Sequence, residues 1–388
     1  MIVARLANIP GFAIDRMAAA AGDDPEVLRL ENLDTDLAPP AAALAATRAA
    51  IGRDADNSYL PFLGQTALRE AVAQHLNRQT GQDYGVANVV ITAGGTEGLF
   101  DAVLATTDHG DEVILTDPSY AGMIHRVSLA GGQPRLVPWV AEPGDWRLDR
   151  EALRAAISKR TRALFLMNPS MPTGAVLQAD DWQAIAALCQ QFDLWLIYNA
   201  AMERILFDGR PFIHPAALPG MAERTLIVGS VSKEFRMIGW RLGWVAGPAA
   251  IMNDVARVHI YNVVTATGIA QAGALAALQT PPEDLQACVQ EWQRRRDMVS
   301  EQLHDFAMIP AAGGWSQLLN VRALGYDSFT AAQLLLEKGR IAATPMRDWG
   351  RVNGDQFVRL VFSNEPVARL ATLGDRVRRA LLSPGRKP

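Results

Sequence analysis

Short β-branched and apolar runs alternate with stretches of helical periodicity along most of the chain. Asn88–Thr92, Glu112–Thr116, Gly132–Pro138, Arg162–Met167, Leu194–Tyr198 and Thr225–Gly229 read as strands. Between and around them lie helix formers. Ala41–Ile51 follows Pro39-Pro40, Gln65–Asn77 places Leu68, Val72 and Leu76 on one stripe, and Leu99–Thr106 and Ala249–His259 have helical character. Strands alternating with helices predict a mostly parallel sheet covered by helices. The pattern changes after Thr265–Leu278 and Pro281-Pro282, where a long amphipathic helix, Glu283–Leu303, is followed by strands at Gly313–Val321 and Gln356–Ser363. A short strand at Val27–Leu30 precedes all of this. We read residues 1–40 as an arm and part of a small domain, 41–280 as a large domain, and 281–388 as the rest of a small C-terminal domain.

At 388 residues the chain can bury a large core, and 49% apolar with 20% charged residues describes an ordinary globular protein. A net charge of −4 offers no electrostatic case for nucleic acid or an anionic membrane. The basic tail at Arg386-Lys387 is short. Cys189 and Cys288 make neither a disulfide framework nor a metal-ligand cluster, so no metal is expected and a reducing compartment fits. The start has no basic leader before an apolar segment, and Pro10-Gly11 interrupts it early. No run reaches the roughly 18 to 20 apolar residues of a membrane span. These features predict a cytoplasmic protein.

The chemistry gathers at Ser230-Val-Ser-Lys233, with Arg241 eight residues on in Gly239-Trp-Arg-Leu-Gly243. Lys233 can supply an amine for an imine, while Ser230 and Arg241 can hold a phosphate dianion, the arginine through its planar fork. The chain has only four lysines, and Lys159, Lys338 and Lys387 lack this apolar and glycine-rich setting. The turn Ala93-Gly-Gly-Thr-Glu-Gly98 leads from a strand into a helix, so Gly94, Gly95 and Thr96 can approach an anion at a helix N-terminus. Arg359 stands in an alternating apolar strand, where an unpaired cation is costly unless it serves a salt bridge or a ligand.

The lysine stretch resembles the signature of the fold-type I pyridoxal phosphate enzymes, the aspartate aminotransferase superfamily, class I/II. Tyr59-Leu-Pro-Phe-Leu-Gly64 and Asn168-Pro-Ser-Met-Pro-Thr-Gly174 resemble further family motifs in family order. The resemblance implies an α/β fold with a three-layer large domain around a mostly parallel seven-stranded sheet, plus a smaller α+β C-terminal domain. It implies pyridoxal 5'-phosphate as cofactor, linked to Lys233. Phosphate contacts would come from Gly94, Gly95, Thr96, Ser230 and Arg241, and from Tyr59 of a neighbouring subunit in a homodimer. Tyr120 would stack on the pyridine ring, and Arg359 would grip the substrate's α-carboxylate. The family also has a cis bond at the place of Met171-Pro172.

Several positions depart from the family together. Leu33 stands where a glycine approaches the substrate. Met171 replaces an asparagine that binds the phenolic oxygen, leaving Asn168 or a water to do so. Asn199 replaces the aspartate that pairs with the ring nitrogen, and Met202 a tyrosine. The implied activity is transfer of an amino group from an α-amino acid to a 2-oxo acid, impaired by Asn199. Leu33, Met171, Met202 and Trp315 lean toward an apolar or aromatic side chain. The alternatives are another pyridoxal phosphate reaction on an amino acid (oxidase, hydroxylase, cyclase or lyase) and a non-catalytic binding relative.

Overall fold

The computed structural model describes residues 3, 6, 9–11 and 13–382. The Arg386-Lys387 tail and much of the arm before residue 13 lie outside the described residues. Twelve strands form two sheets among the described residues. In chain order they are β1 (Leu28–Leu30), β2 (Val89–Thr92), β3 (Glu112–Asp117), β4 (Gln133–Glu142), β5 (Asp145–Leu148), β6 (Thr161–Met167), β7 (Trp195–Asn199), β8 (Thr225–Ser230), β9 (Gly243–Ala246), β10 (Ser316–Asn320), β11 (Ile341–Pro345) and β12 (Phe357–Val361).

The large sheet has the order β2-β9-β8-β7-β6-β3-β4-β5. Its centre, from β8 through β7, β6 and β3 to β4, is parallel, and β9 runs antiparallel to both neighbours. Strands β2, β3, β8 and β9 are buried along their whole length, as their unbroken apolar runs require of a sheet covered on both faces. The sheet has eight strands where seven were expected. The extra one is β5, paired antiparallel with the outer half of β4 from Trp139↔Leu148 to Glu142↔Asp145. Pro143 and Gly144 close this hairpin, the glycine at φ +81°. Trp146 of β5 meets Phe357 of β12 edge-on at 5.7 Å between centroids, joining the hairpin to the smaller sheet.

The smaller sheet has the order β1-β11-β12-β10. Strand β1 pairs parallel with β11, and the remaining pairs are antiparallel. The chain's start and end therefore share one sheet. The helices fall where the periodicity put them, with shifted ends. The first after β2 is Gly95–Thr106, beginning four residues ahead of Leu99 because Gly94 at φ +82° turns the chain directly into it. The long helix is Pro282–Gln302, within a residue of the expected span at each end. Strands β9 and β11 were not foreseen, being short and rich in small residues. The Met171–Pro172 bond is cis, as the family resemblance implied.

Candidate active site

Four parallel strands of the large sheet deliver chemistry at their carboxyl ends, where ligands bind in open α/β sheets. Strand β3 leads to Tyr120, β6 to Asn168, β7 ends on Asn199, and β8 ends on Ser230 and leads to Lys233. A cavity of about 250 Å³ lies there. Gly95, Thr96, Tyr120, Asn199, Ser230, Ser232, Lys233, Arg241 and Arg359 all line it, together with apolar side chains. The fold thus brings into one space nine residues spread over most of the chain.

One end is built for an anion. Gly95 and Thr96 open the helix Gly95–Thr106, whose dipole favours negative charge. Gly94 sits beneath Arg241, and a Cβ there would lie 2.7 Å from the guanidinium Nη2. Arg241 takes the left-handed conformation at φ +49°, and its Nη1 donates to the Ile238 carbonyl at 2.9 Å. Ser230 Oγ accepts from the Ser232 amide at 3.3 Å. This cradle fits a phosphate in charge and in the chemistry of its donors.

Lys233 follows, its Nζ donating to the Leu33 carbonyl at 2.5 Å and lying 5.1 Å from the centre of the Trp315 ring. Desolvation pulls its ammonium down to about 7, with Arg241 and Arg359 acting in the same direction and Asp34 opposing them. An amine with that pKa is substantially neutral and nucleophilic near pH 7.

Arg359 lies at the centre of the smaller sheet, opposite Leu318 and Thr344, and is fully buried. Its Nη2 donates to the Glu31 carbonyl and to Thr344 Oγ1, while Nη1 meets only the Met171 sulfur at 3.7 Å and Nε has no partner. The Trp349 ring covers its face at 4.7 Å. Burial lowers its pKa to about 10, so it remains a cation. Two of its nitrogens are therefore without an oxygen acceptor, the state expected of an arginine that awaits a carboxylate.

The far edge of the cavity is different. Asn199 Oδ1 accepts from the Ala201 amide at 3.2 Å, which turns the side-chain NH₂ toward the sulfurs of Met167 at 3.5 Å and Met123 at 3.8 Å. Met171 and Met202 are buried and also line the cavity, Met171 against Arg359. Tyr120 packs on Trp349 at 5.8 Å, and a Cβ on Gly122 would strike the Tyr120 ring at 2.5 Å, so the glycine makes room for that aromatic.

Four sequence candidates lie outside the cavity lining, Gly94 among them, beneath Arg241. Tyr59 is 81% exposed on its loop. Trp315 backs Lys233 and packs on Trp292 at 4.9 Å between centroids, so it touches the lysine instead of forming a wall. Asn168 is buried with Oδ1 accepting from the Leu177 amide at 2.8 Å. Leu33 lines the cavity and also contributes its carbonyl to Lys233. Sequence reasoning missed Ile14, Ser232, Met123, Met167 and Trp349. Ser232 was open to it as the hydroxyl next to Lys233, whereas the others carry no local mark of a site.

The chain belongs to the aminotransferase class I and II family, whose profile matches residues 27–373. It is 32% identical over 356 residues to an arginine–pyruvate transaminase of Pseudomonas aeruginosa, covering 91% of this chain and 90% of that one. A probable N-succinyldiaminopimelate aminotransferase of Mycobacterium tuberculosis is 33% identical over 350 residues, 89% of this chain and 88% of its own. Among solved structures, the Mycobacterium tuberculosis N-succinyldiaminopimelate aminotransferase superposes with a TM-score of 0.90 at 32% identity, covering 98% of this chain and 99% of that one. The Thermus thermophilus aspartate aminotransferase with maleate gives 0.90 at 30% identity, covering 98% and 100%. The protein is an aminotransferase of the aspartate aminotransferase-like fold, acting between amino acids and oxo acids, in a family whose members use pyridoxal phosphate.

Proposed function

We propose that this aminotransferase binds pyridoxal 5'-phosphate through Gly94, Gly95, Thr96, Ser230 and Arg241, links it to Lys233, and takes α-amino acids with apolar or aromatic side chains. The observation that carries the reading is a lysine of depressed pKa in a cavity that also holds two arginines, Arg241 beside a helix N-terminus and Arg359 with unpaired donors. When bound, the cofactor supplies the aldehyde that captures the amino group and the ring that draws electrons from Cα. The chain's residues do the rest. Lys233 attacks as the neutral amine and, once released, moves the proton at the substrate Cα. Arg359 holds the α-carboxylate with guanidinium donors that the protein leaves without an oxygen acceptor, and Trp349 excludes water from its face. Tyr120 stacks on the ring. The NH₂ of Asn199 can only donate toward the ring nitrogen, which favours the unprotonated ring and weakens its pull on electrons.

The substrate preference rests on the lining. Ile14, Leu33, Met171, Met202 and Ile238 contribute apolar surface, and no aspartate or glutamate lines the cavity among the described residues. A cationic side chain would have no counter-charge there, and its burial would be costly. Single-turnover spectra with leucine, phenylalanine, arginine and aspartate test this. Conversion to the amine form of the cofactor at least about tenfold faster with leucine or phenylalanine supports the reading. Faster conversion by arginine or aspartate overturns it.

A homodimer is part of the proposal. Tyr59 and Tyr261 are exposed at 81% and 92%, and a second cavity of about 410 Å³ adjoins the first through Thr96 and Arg241. A neighbouring subunit's Tyr59 would reach the phosphate from that side. We also propose the division at about residues 40 and 280, which the two separate sheets support. Cys189 and Cys288 are both free, and no helix among the described residues is long and apolar enough to cross a membrane. Both accord with the cytoplasm as the proposed location.

A further inference from the structure

Behind the anion end of the cavity lies a buried polar cluster that the chemistry above does not use. Glu97 stands in the first turn of the helix Gly95–Thr106, and His259 stands near the end of the helix Ala249–Asn262. His259 is fully buried, with Nδ1 2.7 Å from Glu97 Oε1 and Nε2 2.9 Å from the Phe62 carbonyl. A carbonyl can only accept, so Nε2 carries a hydrogen. The other oxygen of Glu97 accepts the Ala93 amide, so the carboxyl joins the histidine to the turn before Gly94. Asp101, one helical turn further on, is also fully buried. Burial first, and Glu97 second, push its carboxyl up to about 8. Asn262 faces Asp101 from the histidine's own helix.

The partners of this pair are what give it a role. Ala93 precedes Gly94, and Gly95 and Thr96 follow as cavity lining. Phe62 lies three residues after Tyr59, and the two residues that follow it are held close to β2, since Ile91 donates to the Leu63 carbonyl at 3.0 Å and a Cβ on Gly64 would strike Ile91 at 2.3 Å. We propose that His259 and Glu97 are positioning residues for the cofactor's phosphate, one hydrogen-bonded pair holding together the turn that faces the phosphate and the loop that presents Tyr59. This rests on the proposed phosphate site. A stability role alone would not need these polar groups, because buried polar pairs are often replaced by packed apolar side chains at little or no cost.

The test uses the protein freed of cofactor and compares its affinity for pyridoxal 5'-phosphate with that for pyridoxal, which lacks the phosphate. In His259→Leu the preference for the phosphorylated ligand should fall about tenfold, equivalent to about 1.4 kcal/mol. His259→Gln, which can still donate to Phe62, should recover part of it. Glu97→Gln keeps a hydrogen bond to both Ala93 and His259 but removes the charge, and serves if His259→Leu does not fold. It too should lower the preference, by a smaller factor. Equal loss of affinity for both ligands, or an unchanged preference in both glutamine variants, would reduce the pair to a structural role and overturn the proposal. A wild-type protein with no preference for the phosphorylated ligand would instead remove the phosphate site itself, and the positioning role with it.

Discussion

At the anion end of the cavity a hydroxyl and a guanidinium stand by Gly94, where a Cβ would lie 2.7 Å from Arg241, whereas at the far edge a neutral amide faces two thioethers. The first arrangement holds charge. The second offers a planar ring polarisable surface and one neutral donor. Holding the cofactor and activating its ring are therefore separable tasks, assigned to different strands. Ser230 and Lys233 come from the end of β8, while Asn199 ends β7 and Met167 ends β6.

The largest effect should come from the boundary between the two regions. Lys233→Ala should slow the half-reaction by about 10⁴-fold, the upper range for losing a positioned acid–base group, while the anion cradle still retains the cofactor without a covalent link. Stopped-flow absorbance with equilibrium dialysis separates the two, and loss of all cofactor binding would show that the cradle does not act alone. Asn199→Asp should restore an ionised partner for the ring nitrogen and raise the half-reaction rate roughly 10²-fold, about 2.7 kcal/mol. An unchanged rate would show that the thioether edge tunes the ring by another route.

The remaining effects are smaller and depend on pH. Lys233 in the cofactor-free protein should react with pyridoxal phosphate with a midpoint near pH 7. Arg241→Ala should move that midpoint upward, since Arg241 is one of the groups that depress it. The sign for stability follows. The folded lysine binds its proton less tightly than the unfolded chain, so its contribution rises with pH from about 7 toward the ordinary lysine range. Asp101 runs the other way. Its folded pKa is raised to about 8, so the stability linked to its proton is full below the usual carboxylate range and is lost as pH rises through about 8. Asp101→Asn should therefore raise the melting temperature more at pH 8 than at pH 5. Equal shifts at the two pH values would mean that the carboxyl is already ionised in the folded protein.

The parts of the site that could be read in advance share one property, which is that their chemistry is carried by local order along the chain. Lys233 follows a strand and is flanked by serines, Gly94 and Gly95 sit between a strand and a helix, and Arg359 interrupts an apolar alternation. The residues that escaped notice act through distance. Trp349 lies in a stretch without strand or helix periodicity, yet it packs between Tyr120 and Arg359. Trp315 was expected at the substrate and instead supports the lysine from behind. Strands β9 and β11 are too short and too poor in bulky side chains for periodicity to mark them. They exist because neighbouring strands satisfy their backbone groups.

By itself, the order of residues determined the alternation that makes the large sheet, the lysine and arginines that define the chemistry, and the identity of the replacements at Leu33, Met171, Asn199 and Met202. Tertiary structure alone decided what those residues face. The carbonyl that receives the Lys233 amine comes from 200 positions away, and the one that receives Arg359 from 328. The amide of Asn199 is turned by the backbone of Ala201, and its sulfur neighbours come from β6 and the helix Ala121–Leu129. Periodicity reports which side of an element is buried. It carries no record of which strand ends will meet, because that is settled by long loops closing over a shared core and by backbone groups finding partners across it.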